Sequence, residues 1–198
     1  MHKLILASQS PNRRDLLKHS GFNFHVDPVK VSEIIDKNLK PRVVVESLAR
    51  AKVQAYIQKR KPLKKASFLV LTADTIVVIG DRIFGKPKDL TEAKSYLFQL
   101  SGKTHKVITA LCVYDVDMGR DIVALDETKV CFRQLLEQEI SDYVASGEPI
   151  GKAGGYAIQG LGNKFVVRLE GSFSNVVGLP MELFNKMIKE NGWQIGSK

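Results

Sequence analysis

The amino-acid sequence predicts an α/β protein in which an elongated mixed β-sheet is flanked by helices. Three observations point there. Helical and strand-like segments alternate from the N-terminus, two long β ribbons flank a tight turn in the middle, and no strict strand–helix repeat makes the sheet all parallel. Hydrophobic residues make up 44% and charged residues 26% of the 198 positions, which is ample for a core and unlike disordered or fibrous chains. That length fits one large domain or two lobes sharing a cleft, and two lobes around a single site are expected over residues 1–198.

The elements read in order. Lys3 to Ala7 is strand-like, Pro11 to about Lys18 reads as a helix, and after a Gly21 break a short strand is expected around Phe22 to Val26. Val44, Leu48, Ala51 and Ala55 recur at helical spacing from Pro41 to about Ile57, and Pro62 ends any continuation. Phe68 to Leu71 is a continuous apolar run, as in a strand buried on both faces, and Thr72-Ala73-Asp74-Thr75 marks its expected end. Val77 to Ile79 and Arg82 to Phe84 flank Gly80-Asp81 as a hairpin, and Leu90 to Leu100 reads as a helix. Val107 to Val116 and Ile122 to Phe132 are the long ribbons, followed by a helix from about Glu137 to Ala145. A glycine-rich stretch from Gly147 to Gly162 precedes strand-like Phe165 to Leu169, a turn at Gly171-Ser172 and a last helix to about Glu190.

Several classes fall away. No apolar run approaches the roughly 18 to 20 residues that span a bilayer, so a soluble cytoplasmic protein without membrane contact is expected. Cys112 and Cys131 lie in apolar stretches without metal-ligand spacing and read as plain buried thiols. The formal charge of +9 favours anionic partners, whether nucleic acid, acidic membrane or a phosphorylated small molecule. No Walker-type loop, Gly-x-Ser-x-Gly elbow or His-Glu-x-x-His is present.

The opening loop Ser8-Gln9-Ser10-Pro11-Asn12-Arg13-Arg14 lies between a strand and a helix, with Ser10 suited to the cap and Pro11 to the first turn. Free amides at a helix start, two hydroxyls and Arg13 suit phosphate oxygens, although an ordinary capped helix has the same sequence. Asp74 at a strand end either binds a metal or takes a proton from water, or it caps a turn. Glu33, in a polar loop, offers a second carboxylate for a cation such as Mg²⁺ or is simply solvated. Lys86, fixed between Gly85 and Pro87, suits a leaving phosphate or an exposed turn, and Lys52 on its helix points into a cleft or snorkels. Gln159 carries the donor and acceptor that a uracil-like edge requires.

Taken together, Leu6 to Leu17, Leu48 to Lys52, Ala73-Asp74-Thr75, Gly85-Lys86-Pro87, Ser101 to His105, Gly147-Glu148-Pro149, Lys152 to Gly162 and Asn175 to Pro180 resemble the Maf family in order and spacing. The resemblance implies a two-lobed fold of the Maf and inosine triphosphate pyrophosphatase kind, a homodimer, and Mg²⁺- or Mn²⁺-dependent hydrolysis of nucleoside triphosphates to monophosphate and pyrophosphate. By position it implies Asp74 as catalytic base and, with Glu33, metal ligand. Lys52 and Lys86 join it as catalytic cations, and Ser8, Ser10 and Arg13 handle phosphates. At three positions that separate substrate groups, members of the dTTP/UTP type carry Arg, Thr and Gln, and members of the 7-methyl-GTP type carry Trp, Gln and Glu. Here they are Asn12, Thr75 and Gln159, so two of the three match the pyrimidine type and Asn12 matches neither. The implied role is removal of dTTP, UTP and modified pyrimidine nucleotides before they enter nucleic acid. The alternatives are a 7-methyl-GTP pyrophosphatase, a nucleic-acid-binding protein suggested by the basic run Lys59 to Lys65, and a regulator of cell division.

Overall fold

Strand β3 (Phe68–Ile79) is the axis of the structure, a computed structural model that describes residues 1–31, 39–60 and 67–196. Its run of apolar residues is sandwiched between strands on both edges and helices on both faces, which explains the near-continuous burial. On one edge β5 (Thr104–Asp115) lies antiparallel over ten residues, from Leu69↔Asp115 to Val78↔Lys106. β6 (Arg120–Phe132) and then β7 (Val166–Glu170) continue the sheet antiparallel. On the other edge two short strands share the length of β3. The first, β1 (Lys3–Leu6), runs parallel and carries β2 (Phe24–Val26) outside it. The second, β4 (Arg82–Phe84), folds back antiparallel against Val77–Ile79. The seven-stranded sheet is therefore mixed, as the sequence predicts.

Asp74 departs from the expected position. Thr72–Thr75 does not end the strand but forms its middle, because β5 is long enough to pair with these residues and the following Ile76–Val78 as well. A continuous hydrogen-bonded ladder outweighs the polar side chains. What does end near this level is β1, whose last pair is Leu6↔Leu71, while β4 starts at Val77↔Phe84. Between them one edge of β3 has no strand against it among the described residues.

Side chains alternate across the sheet. One face of β3 meets α2 (Pro41–Arg60), with Ile76, Val78, Ile108 and Ala110 packed on Val45, Ala49 and Val53. The opposite face carries two separate apolar clusters. The first joins Leu69, Leu71 and Leu111 to α1 (Pro11–His19) and α6 (Met181–Glu190) through Leu17, Phe184 and Met187. The second joins Val77, Val107 and Val130 to α3 (Leu90–Leu100) and α4 (Glu137–Ala145) through Leu97, Leu100, Ile140 and Tyr143. The short helix α5 (Phe173–Val177) lies over β5 and β6 between these groups. Helices α3 and α4 coincide with their sequence-predicted limits, and α2 runs three residues beyond Ile57. The segment between β6 and β7 is held by tight 3-10 turns at Ala153–Gly155 and Leu161–Phe165.

His105 is enclosed in the second cluster, with Nε2 at 2.8 Å from the Tyr156 hydroxyl and its ring edge-on to Phe132. Burial drives its pKa down from 6.5 to about 4. Between those values the unfolded chain binds a proton that the native chain refuses, so stability falls as pH falls from about 6.5 towards 4 and is untouched above that window. The loss amounts to about 3 kcal/mol at one pH unit per ~1.4 kcal/mol. Thermal midpoints measured across this range are expected to drop, and to flatten in His105→Gln.

Candidate active site

The open stretch of β3 forms one wall of a cavity of about 550 Å³. Because consecutive residues point to opposite faces, Asp74 and Thr75 reach this cavity from the two sides of the sheet, which is possible only where a neighbouring strand is missing.

On the α2 side, Lys52 rises from the helix and its Nζ donates to Asp74 Oδ1, with the Ala73 carbonyl at 3.5 Å. Asp74 is only 5% exposed and Lys52 only 8%. A carboxylate and an ammonium at such depth are stable as partners, and losing either strands the other in low dielectric. Thr72, two residues before on the same face, donates to the Ala49 carbonyl at 2.8 Å and ties α2 to the strand at this level.

On the other side, the loop after β1 turns into α1. Ser10 caps the helix by accepting from Arg13 N at 3.4 Å, Pro11 opens the first turn, and Ser8 Oγ accepts from Ser10 N at 3.2 Å. The guanidinium of Arg13 then spans three elements. Nε donates to the Gly178 carbonyl at 2.7 Å, Nη2 to Thr75 Oγ1 at 3.0 Å, and Nη1 to Ser8 Oγ at 3.4 Å.

The far wall comes from the glycine-rich stretch and from the residue after the β4 hairpin. Gly154 N donates to the Gly85 carbonyl at 3.0 Å, so the loop bearing Lys152, Tyr156 and Gln159 is fastened beside Lys86. Glu148 stiffens the rest of the loop by accepting from the amides of Leu161 and Gly162 at 3.0 and 3.2 Å.

Nine sequence-predicted residues therefore line one cavity: Ser8, Ser10, Asn12 and Arg13 from the opening loop, Lys52, Asp74 and Thr75 from the sheet level, and Lys86 and Gln159 opposite. Glu33 lies outside the described residues. Two further cavity residues, Lys30 and Lys152, are not among those the sequence predicts. Lys152 carried a signal in sequence, as a cation opening a glycine-rich run, and Lys30 carried none. Five basic residues thus surround one carboxylate, Asp74, among the described residues. Such a surplus of positive charge suits a polyanion better than a neutral ligand.

The profile of the Maf family, described as Maf-like protein, matches residues 3–191. The chain belongs to the Maf family. Its Maf relatives include a dTTP/UTP pyrophosphatase of Bdellovibrio bacteriovorus, 46% identical over 94% of this chain and 97% of the relative. A dTTP/UTP pyrophosphatase of Pelotomaculum thermopropionicum is 44% identical over 98% of this chain and its own full length. That of Caldicellulosiruptor saccharolyticus is 40% identical over 98% of both chains. No described helix of this Maf protein is long and apolar enough to cross a membrane.

Among the described residues, few donors for a divalent cation line the Maf cavity. Asp74 is the carboxylate on its wall and Ser8 the neighbouring hydroxyl, a set that suits a hard cation when phosphate oxygens complete the shell. A second grouping, His2, Asp115 and Asp117, lies within 4.8 Å but away from the cavity, at the start of β3. There Asp115 already accepts from the amides of Asp117 and Met118 at 3.0 Å and from Trp193 Nε1 at 2.7 Å, so it acts as a turn and C-terminal anchor.

Proposed function

We propose that this chain hydrolyses dTTP and UTP, and modified pyrimidine nucleotides of the same shape, to the monophosphate and pyrophosphate. One observation carries the reading: a buried carboxylate, Asp74, shares a cavity wall with Arg13, Lys30, Lys52, Lys86 and Lys152. The dTTP/UTP pyrophosphatases to which the chain is similar over nearly its full length support the same substrate class.

In this reading the triphosphate lies along the cationic wall and the base reaches the glycine-rich loop, where the Gln159 amide offers a donor and an acceptor. Water attacks one of the two phosphorus atoms flanking the α–β bridge, in line with the bridging oxygen. The new P–O bond forms as the bridge bond breaks, the electron pair leaves with the departing phosphate, and Asp74 takes the proton of the water. Lys52 holds that carboxylate in place. Arg13 and Lys86 stabilise charge that grows on phosphate oxygens. A divalent cation, Mg²⁺ or Mn²⁺, would be held by Asp74 with Glu33 and would neutralise and polarise phosphate oxygens. We further infer a cytoplasmic homodimer in which residues 1–198 form two lobes, in keeping with the two apolar clusters on one sheet face.

Incubation with canonical and modified nucleotides plus Mg²⁺ tests this. Pyrophosphate, not orthophosphate, is the expected product, dTTP and UTP are expected to outrun 7-methyl-GTP, and chelation of the cation is expected to lower the rate at least about a hundredfold. Faster turnover of 7-methyl-GTP, or release of orthophosphate alone, overturns the assignment.

A further inference from the structure

Between the two apolar clusters of the sheet face runs a row of polar side chains that a simple core would not contain: half-buried Thr75 and fully buried Thr109 and Asn175. Thr109 stands directly across from Thr75 on β5, is fully buried, and does not line the cavity. Valine would fit this strand position as well and would bring no polar atom, so a hydroxyl here needs a reason.

We propose that Thr109 is a positioning residue that sets the orientation of the Thr75 hydroxyl and, through it, of Arg13. This rests on the reading of Arg13 as a ligand-holding cation. The direction of every hydrogen bond in the row follows from its last member. Thr109 Oγ1 lies 3.1 Å from the Asn175 carbonyl, which only accepts, so the single hydroxyl proton of Thr109 is committed there. Its lone pairs then face Thr75 Oγ1 at 3.0 Å, and the Thr75 proton is committed to Thr109. What Thr75 turns to the cavity side is therefore an acceptor, and Arg13 Nη2 donates to it at 3.0 Å.

The carbonyl that ends the row is itself fixed. Asn175 Nδ2 donates to the Val107 carbonyl at 3.0 Å and to Thr128 Oγ1 at 2.9 Å, and Asn175 N donates to Ser172 Oγ at 3.1 Å. Thr128 in turn donates to the Ser172 carbonyl at 3.1 Å. α5 and the Gly178 that ends it thus reach Arg13 twice, directly through the Gly178 carbonyl and indirectly through Asn175, Thr109 and Thr75. Without the Thr109 hydroxyl, Thr75 is free to rotate and to turn its proton towards the guanidinium, which loses an acceptor.

The test is a double-mutant cycle read by calorimetric binding of α,β-imido-dUTP, a triphosphate with nitrogen in the scissile bridge, and of inorganic tripolyphosphate. Thr109→Val is expected to weaken binding by about tenfold or more, the range for a hydrogen bond to a charged group, with Thr109→Ser within about threefold of the unsubstituted chain. In an Arg13→Ala background the same Thr109→Val change is expected to shift binding by less than about twofold, since there is no guanidinium left to orient. Thr109→Ala, which removes the hydroxyl with less bulk, serves where the valine variant fails to fold. Equal losses in both backgrounds, tight binding by the valine or alanine variant, failure of serine to rescue, or no binding of either probe by the unsubstituted chain overturns the proposal. Absence of pyrophosphate release by the unsubstituted chain sinks the proposed reaction instead, because binding reads the coupling on its own.

Discussion

Asp74→Asn is expected to lower pyrophosphate release by at least about a thousandfold, within the range for loss of a general base, with the chain still folded. The substitution keeps shape and keeps an oxygen able to accept from Lys52, but it removes the negative charge that receives a proton. The stability cost should be about 1–3 kcal/mol, because a charge-assisted bond becomes a charge–dipole one. Lys52→Met is the informative counterpart. It leaves a buried carboxylate without the ammonium bonded to it and is expected to cost about 3–5 kcal/mol. Circular dichroism, thermal midpoints and product release separate the two effects. Asp74→Asn turning over within tenfold of the original chain, with an unchanged melting curve, removes Asp74 from the chemistry.

Gly154→Ala is the second large effect. Gly154 has a φ of +71°, where an L side chain is strained by about 1–2 kcal/mol. A Cβ there would also stand 2.7 Å from Val77 Cγ2, inside a well-packed cluster, which adds about 1–3 kcal/mol of overpacking. The thermal midpoint should fall by roughly 5 to 15 °C for a chain of this size. Function should suffer beyond that, because Gly154 N ties the loop of Lys152 and Gln159 to Gly85, next to Lys86. An increase in KM of about tenfold or more is expected, in line with loss of uniform binding. Gly21→Ala, at φ +79° with no atom within 4 Å of the new Cβ, isolates the backbone cost and should leave KM unchanged.

Much of the architecture was legible because the strongest signals are local. The helices at Leu90–Leu100 and Glu137–Ala145 show both period and boundary in sequence, and the turn at Asp117–Arg120 announces the long ribbons on either side. Asp74 shows where local reading stops. Its polar neighbours look like a strand end, and only the ladder to β5, some 35 residues further along the chain, converts them into a strand centre. The opening loop was readable because a serine cap, a proline and an arginine fall between a strand and a helix within seven residues. Thr109 and Asn175 were not, since a threonine in an apolar strand is an ordinary β-former until its partners from α5 are known. Lys30 was equally silent, as a lysine in a loop has no pattern to mark it.

Among the described residues, the interruption along one side of β3 bares a strand edge whose extent is a matter of strand length. From the last pair at Leu71 to the first at Val77 the main chain runs about 20 Å, at roughly 3.3 Å per residue. Extending β1 or β4 by two residues would cover about 7 Å of that edge without altering a single reactive group. A scaffold of this kind separates the extent of the open edge from the chemistry beside it: that extent is set at the tips of two short strands, while the long strand behind them keeps its alignment.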